Sequence, residues 1–260
     1  MRDAVSDARA VLDRFDAEMR ADPPASVGQR IDHVSGLVRT VGRSNTILFE
    51  TLADADVDRV VAEQAAYFVA LGEDLEWKCY AHDPPSLLAR SLAACGFVAE
   101  DVETLLAFDL SSDVAIDPAP GVVVRPVRDA RDVATYLDVT CAAFGSAPPW
   151  SAEKFAAEVL AIAPETYAFV AFVDGVPSAA GRVQFARERS FASMWGGGTV
   201  PGVRGRGVYR TLIAERVRLA RERGYAYLTV DARDTSWPII ERLGFRALTT
   251  IHAWTLHAGR

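Results

Sequence analysis

The sequence predicts an α/β protein built from two related halves, and three observations carry that expectation. Strand-like and helix-like stretches alternate along the whole chain. A strand, a short helix, a Gly-Phe pair and another strand occur twice with equal spacing, from Asp83 to Gly96-Phe97 and from Asp231 to Gly244-Phe245. Between these copies, residues 111–121 lack periodicity and are rich in Pro, Ser and Asp, the composition of a linker. The expected division is 1–112, a linker at 113–120, and 121–260.

The totals narrow the function classes. A chain of 260 residues, 50% hydrophobic and 24% charged, has ordinary globular composition. A net charge of −7 argues against general nucleic-acid binding, which needs a positive surface. The first residues are too charged for a signal peptide, and no apolar run approaches the roughly 18 residues of a membrane span. A cytoplasmic protein without membrane contact is expected, as a monomer or homodimer. Cys79, Cys95 and Cys141 lack metal-ligand spacing, so neither a metal site nor a disulfide framework is expected.

In the first half, 6–19 reads as an amphipathic helix with Ala8, Val11, Leu12 and Phe15 on one stripe, stopped by Asp22-Pro23-Pro24. Strands at 30–41 and 46–52 flank a Gly42-Arg43-Ser44-Asn45 turn. A helix at 54–71 ends at Gly72, and a strand at 75–80, a helix at 86–95 and a strand at 103–110 complete the half. The second half reads as a strand at 122–127, helices at 129–144 and 151–162, and strands at 166–173, 178–185 and 190–200. Next come a helix at 208–223, a strand at 225–230, a helix with Pro238 in its first turn, and a strand at 248–256. The arginines at 216, 218, 221 and 223 fall in the last turns of the long helix, where its dipole favours cations.

The stretch Arg204-Gly205-Arg206-Gly207-Val208-Tyr209 lies at a strand-to-helix junction. Its glycines let backbone N–H groups turn toward an anion, and the helix start adds partial positive charge. The dinucleotide fingerprint fails, because Arg210 stands where Gly or Ala is needed, and no G-K-[ST] occurs. What matches is Arg204-x-x-Gly207-x-Tyr209 within the order strand, two helices, three strands, helix, strand, helix, strand. This resembles the Gcn5-related N-acetyltransferase (GNAT) family, whose pyrophosphate loop reads R/Q-x-x-G-x-G/A at the same junction. The resemblance implies a mixed, mainly antiparallel sheet flanked by helices in each half, with acetyl-CoA as co-substrate in the second. It further implies that Gly198, Thr199 and Val200 hold the pantetheine arm, and that Arg204, Gly205, Arg206, Gly207, Val208 and Tyr209 form the pyrophosphate loop.

Departures from the family pattern set the catalytic question. Tyr209 replaces a small residue and is expected to put its ring near the phosphates. Ile240 stands where the family commonly has a tyrosine that protonates the thiolate, and 191–200 holds no carboxylate. The remaining candidates are Ser236 as donor and Asp231 or Asp234 as base, with helix capping as their competing role. His252 could titrate usefully, Tyr227 could donate if it faces the cleft, and Trp150, Trp195 and Trp237 could line an acceptor pocket. The first half has Ala53-Asp54-Ala55-Asp56 where the repeat would place the loop, which should repel a pyrophosphate. The expected function is acetyl transfer to a primary amine of a small molecule, by direct attack in a ternary complex, with a degenerate N-terminal copy. The alternative is a non-catalytic acyl-CoA-binding or regulatory module.

Overall fold

Where the apolar period is near 3.6 the chain coils, and where it is near 2 it extends. A computed structural model describes residues 2–84, 87–148 and 151–259, with side chains from residue 7 onward. In chain order the first half contains α1 (Arg2–Phe15), a π-helical turn (Asp16–Ala21), β1 (Gln29–Val34), β2 (Leu37–Gly42), β3 (Thr46–Glu50), α2 (Asp54–Leu71), β4 (Leu75–Tyr80), α3 (Leu88–Ala94), β5 (Val98–Ala99) and β6 (Glu103–Asp109). The second half contains β7 (Val122–Pro126), α4 (Ala130–Phe144), α5 (Ala152–Val159), β8 (Thr166–Val173), β9 (Val176–Phe185) and β10 (Phe191–Thr199). It continues with a 3-10 turn (Pro201–Val203), α6 (Val208–Glu222), β11 (Tyr227–Arg233), α7 (Trp237–Arg242) and β12 (Arg246–Leu256).

Local chemistry accounts for most boundaries. Helix α2 buries one stripe, Val57, Val60, Val61, Gln64, Ala65 and Phe68, and Gly72 closes it in the left-handed conformation at φ 69°. Burying a side chain such as Phe68 stabilises by roughly 1.5–3 kcal/mol relative to exposure. The side chains of Asp129 and Ser151 cap α4 and α5 by accepting the N–H groups of Asp132 and Lys154. Each cap contributes about 1 kcal/mol. The run expected as one strand at 30–41 divides into β1 and β2, because Ser35 (φ 52°) and Gly36 (φ 79°) form a tight hairpin.

Two compact units result, and they do not follow the linear division. The first comprises Met1–Leu106, Asp231–Pro238 and Arg246–Arg260, and the second Ala107–Val230 and Ile239–Phe245. In the first, the strand order is β1-β2-β3-β4-β12, with β5 beside β12. In the second it is β6-β11-β10-β9-β8-β7. Strand β12 lies antiparallel to β4, from Ile251 opposite Tyr80 to Leu256 opposite Leu75, so the end of the chain completes the sheet of the first unit. A period of 2 fixes which face of a strand is buried, but not which strand lies beside it.

Among the described residues β3 pairs in parallel with β4 across α2, and β10 with β11 across α6, while β1/β2, β2/β3, β4/β12, β7/β8, β8/β9 and β9/β10 are antiparallel. Both parallel pairs part early. Strands β3 and β4 pair only at Thr46/Glu76 and Ile47/Trp77, and β10 and β11 only at Phe191/Tyr227, Ala192/Leu228 and Ser193/Thr229. Residues 113–120 have no regular structure, yet they are tied down. Arg221 donates to the carbonyls of Leu110, Ser112 and Val114, and the Ala119 N–H donates to Thr211 Oγ1 at 2.8 Å.

Candidate functional site

In the second unit, β10 departs from regular pairing at a bulge between Trp195 and Gly198. Beyond Ser193 its edge on the β11 side pairs with no strand among the described residues. The Val200 N–H donates to the Ser178 carbonyl at 2.9 Å, so alternation turns the main chain of Thr199 toward the open edge. There the Thr199 carbonyl accepts from Arg204 Nε at 3.1 Å. Gly198 lies against the end of α4, where a Cβ would approach the Phe144 ring to 2.8 Å.

The loop continues from this edge into α6. Gly207 stands before the helix at φ 77°, and an added Cβ would meet Ala119 Cβ at 2.7 Å. Glycine is therefore required twice over, for conformation and for space. Val208 is buried and anchors the helix start. Its neighbours leave the first N–H groups of α6 at the loop, where the helix field favours an anion. Arg204 serves as a tie, donating also to the Ala143 carbonyl at 3.1 Å, while Arg206 is exposed and 3.5 Å from Asp174. Gly205, at φ 79°, has open space where a side chain would be.

Tyr209 does not take the expected position near the phosphates. It turns inward, and its Cε2 lies 3.0 Å from where a Gly197 Cβ would stand, so a glycine on β10 makes room for the ring. Its hydroxyl is hydrogen-bonded to Arg216, and burial pushes its pKa up. Arg216 stands apart from the other arginines of the helix. It is 1% exposed, on the same stripe as Leu212, Ile213, Val217 and Ala220. Its Nε donates to the Leu212 carbonyl at 3.1 Å, and Nη2 has no hydrogen-bond partner among the described residues. Burial drives its pKa down, and only Tyr209 and Tyr136 act against that. Its neighbours in α6 behave differently: Arg218 pairs with Glu215 and Glu222, and Arg223 lies over the Tyr167 ring at 4.1 Å.

The proposed catalytic residues fall in the first unit. Asp231 is on β11 and pairs with Lys78 at 2.7 Å, both 11% exposed, so it caps no helix. Burial opposes the charge on Lys78, but Asp231 and Glu76 outweigh it and hold the pKa well above the ordinary value. Asp234 is exposed, and Ser236 Oγ donates to the Arg233 carbonyl at 3.1 Å. Ile240 is fully buried, in keeping with the absence of a donor at that position. Tyr227 stacks on Phe191 at 5.1 Å, His252 tilts against Trp254, Trp195 is 37% exposed and Trp237 is half-buried. Trp150 lies outside the described residues. The three cysteines are unpaired and half-buried, and burial pushes the Cys79 thiol up to about 12. Among the described residues no group of three or more His, Cys, Asp or Glu could hold a metal ion, and no helix is long and apolar enough to cross a membrane.

The equivalent region of the first unit holds a side chain. Beyond the last β3/β4 pair, Arg20 donates to the Leu48 carbonyl on β3 at 3.0 Å and lies 3.7 Å over the Tyr80 ring on β4. Asp83 and Asp16 accept from the same guanidinium at 2.6 and 2.8 Å. Nearby, burial and then Asp83 push the Glu50 carboxyl up to about 7, and its Oε2 has no hydrogen-bond partner among the described residues. Neither Arg20 nor Glu50 stood out in the sequence.

Comparison with known proteins agrees with this geometry. Residues 134–245 match the model of the acetyltransferase (GNAT) family. Solved structures extend the fold to the whole chain. A GCN5-related N-acetyltransferase from Kribbella flavida is 18% identical with TM-score 0.68, covering 97% of this chain and 95% of that one. A tandem GNAT protein from the clavulanic acid biosynthesis pathway is 15% identical with TM-score 0.61, covering 99% and 96%. A GCN5-related N-acetyltransferase from Sphaerobacter thermophilus is 15% identical with TM-score 0.64, covering 98% and 93%. No curated protein matches the sequence.

Proposed function

We propose that the second half binds acetyl-CoA and transfers its acetyl group to a primary amine of a small molecule, by direct attack in a ternary complex, while the N-terminal copy (1–112) is a degenerate scaffold. The single observation that carries the reading is the open β10 edge running into the N-terminus of α6. It offers main-chain donors for an extended arm, followed by N–H groups and positive charge for a pyrophosphate. In this reading Gly198, Thr199 and Val200 form the wall along the arm, with the main chain of Thr199 facing it, the main chain from Arg204 to Tyr209 cradles the pyrophosphate, and a main-chain N–H of β10 polarises the thioester carbonyl. The protein orients the reactants and supplies donors, and acetyl-CoA supplies the activated acyl group.

Asp231 is a weak choice as base because it is already ion-paired with Lys78, and Ser236 already donates within its own turn. Asp234 remains the exposed carboxylate of the three. The buried Ile240 and the paired Asp231 also favour a second reading, acyl-CoA binding without transfer. Calorimetry with acetyl-CoA should show saturable binding near one equivalent, and thiol release should rise with some amine in a broad panel. Absence of binding rejects both readings, whereas binding with a flat panel leaves the non-catalytic one.

A further inference from the structure

A buried guanidinium without a carboxylate is expensive. Transfer of an unpaired ion into a protein interior costs several kcal/mol, and such groups are paired, neutralised or matched to a ligand. Arg216 meets none of the internal remedies, since its electrostatic partners are the phenols Tyr209 and Tyr136 rather than an acid. The groups around it come from each packed element: Tyr209 on α6, Tyr136 on α4 and Arg182 on β9, the last close beside the Tyr136 hydroxyl.

The first unit shows what the same helix position looks like when it has only a structural task. Helices α2 and α6 each join the two parallel strands of their unit and close at Gly72 and Gly224, and Gln64 and Arg216 stand at the same distance before those glycines. Gln64 is buried and neutral, and it accepts a hydrogen bond from Arg39, which Asp32 also holds. The second unit has a cation there with one amine unpartnered. Glycines bring that cation against the β9/β10 pair at the bulge, beside the part of β10 that β11 has left. Arg216 Nη1 lies 3.2 Å from where a Gly181 Cβ would stand on β9, and 3.4 Å from the same point on Gly197 of β10. A side chain at either strand position would displace the guanidinium.

We propose that Arg216 is the counter-charge for the sulfur of coenzyme A, held by Tyr209 beneath the open edge of β10. The inference rests on the acyl-CoA reading above. When an amine attacks the thioester carbon, the C–N bond forms, the C–S bond breaks with its electron pair moving to sulfur, and the ammonium proton passes to solvent. A cation within about 4–6 Å, in a site of low dielectric, stabilises the thiolate without having to give up a proton. This answers the absence of a protonating tyrosine at Ile240, because a sulfur leaving as an anion needs a nearby positive charge rather than an acid. Tyr209 is then a positioning residue whose hydroxyl keeps the guanidinium turned toward Gly197.

The test reads the bound thiol directly. Coenzyme A is titrated onto the wild-type protein, Arg216→Met and Arg216→Lys, with binding measured by calorimetry and the thiolate by its ultraviolet absorbance from pH 5 to 10. On the wild type and Arg216→Lys, the bound thiol should ionise at least one unit below free coenzyme A titrated alongside, a tenfold shift. On Arg216→Met it should return to the free value with coenzyme A still bound. Ligand-free Arg216→Met should melt no lower than the wild type, because an unpaired buried charge has been removed. Equal thiol titrations on wild type and Arg216→Met overturn the proposal, as does a Met variant that fails to fold or melts lower. No binding of coenzyme A to the wild type overturns the acyl-CoA reading itself, a result distinguishable from both.

Discussion

The two parallel strand pairs share a topology and differ in what lies where they part. Between β3 and β4 the gap is bridged by Arg20, bonded to the Leu48 carbonyl and stacked on Tyr80, and the following helix opens with Asp54 and Asp56. Between β10 and β11 the strand edge is bare, glycines replace side chains, and the helix opens behind Arg204 and Arg206. A splayed pair is thus a fold-level opening that each unit fills differently: the first with its own cation held by acids, the second by leaving room beside an unpaired one. The difference teaches that topology makes the cleft while a few side chains decide whether it can receive a ligand.

Several substitutions would break or sharpen this contrast. The largest effect is expected from removing 246–260, which takes β12 from the sheet of the first unit and bares β4. Cooperative thermal unfolding followed by circular dichroism should be lost, and an unchanged transition would show the strand to be dispensable. Arg20→Ala should destabilise by about 3–5 kcal/mol, because Asp16 and Asp83 lose their buried partner. Denaturant titration measures it, and acetyl-CoA affinity of the folded fraction should stay unchanged if the first cleft is only scaffold.

Glu50 gives a pH-dependent form of the comparison. Its folded pKa of about 7 lies above the unfolded 4.5, so ionisation opposes folding. The penalty is absent below about pH 4 and complete above pH 7, and for a partly accessible group amounts to about 1–2 kcal/mol. Glu50→Gln should therefore raise stability at pH 8 and leave it unchanged at pH 4, and urea titrations at the two values decide it. The smallest effect is expected at the loop. Arg206→Glu should weaken acetyl-CoA binding by about tenfold in low salt and less in high salt, read by calorimetry, since Arg206 is exposed and screened.

Much of this architecture was legible in the sequence because it is written in local chemistry. Helix α2, strand β4 and strand β8 fall at their expected bounds, and Asp129 and Ser151 cap the helices they precede. The place of the loop before α6 was legible because glycines at such a junction supply the positive φ values found at Gly205 and Gly207. The Ser35-Gly36 hairpin was missed because a serine at positive φ gives no turn signal comparable to Asn-Gly. Arg216 was read as one of four arginines near a helix end. Its place on the stripe of Leu212, Ile213 and Val217 was the signal that could have marked it as buried. Arg20 and Glu50 could not be found in this way, since their partners are distant in sequence, as with Arg20 and Asp83.

The placement of β12 beside β4 has a consequence for how the protein is made. His82, just past β4, meets Thr249 on β12 across 167 residues of chain. At about 5–20 residues per second, a ribosome delivers that partner roughly ten to thirty seconds after β4 emerges. During that interval β4 is an unpaired edge, while every strand of the second unit has already been synthesised by the time β11 is complete. The first unit therefore lacks a strand until β12 has been made, although the rest of its sheet comes from the first half.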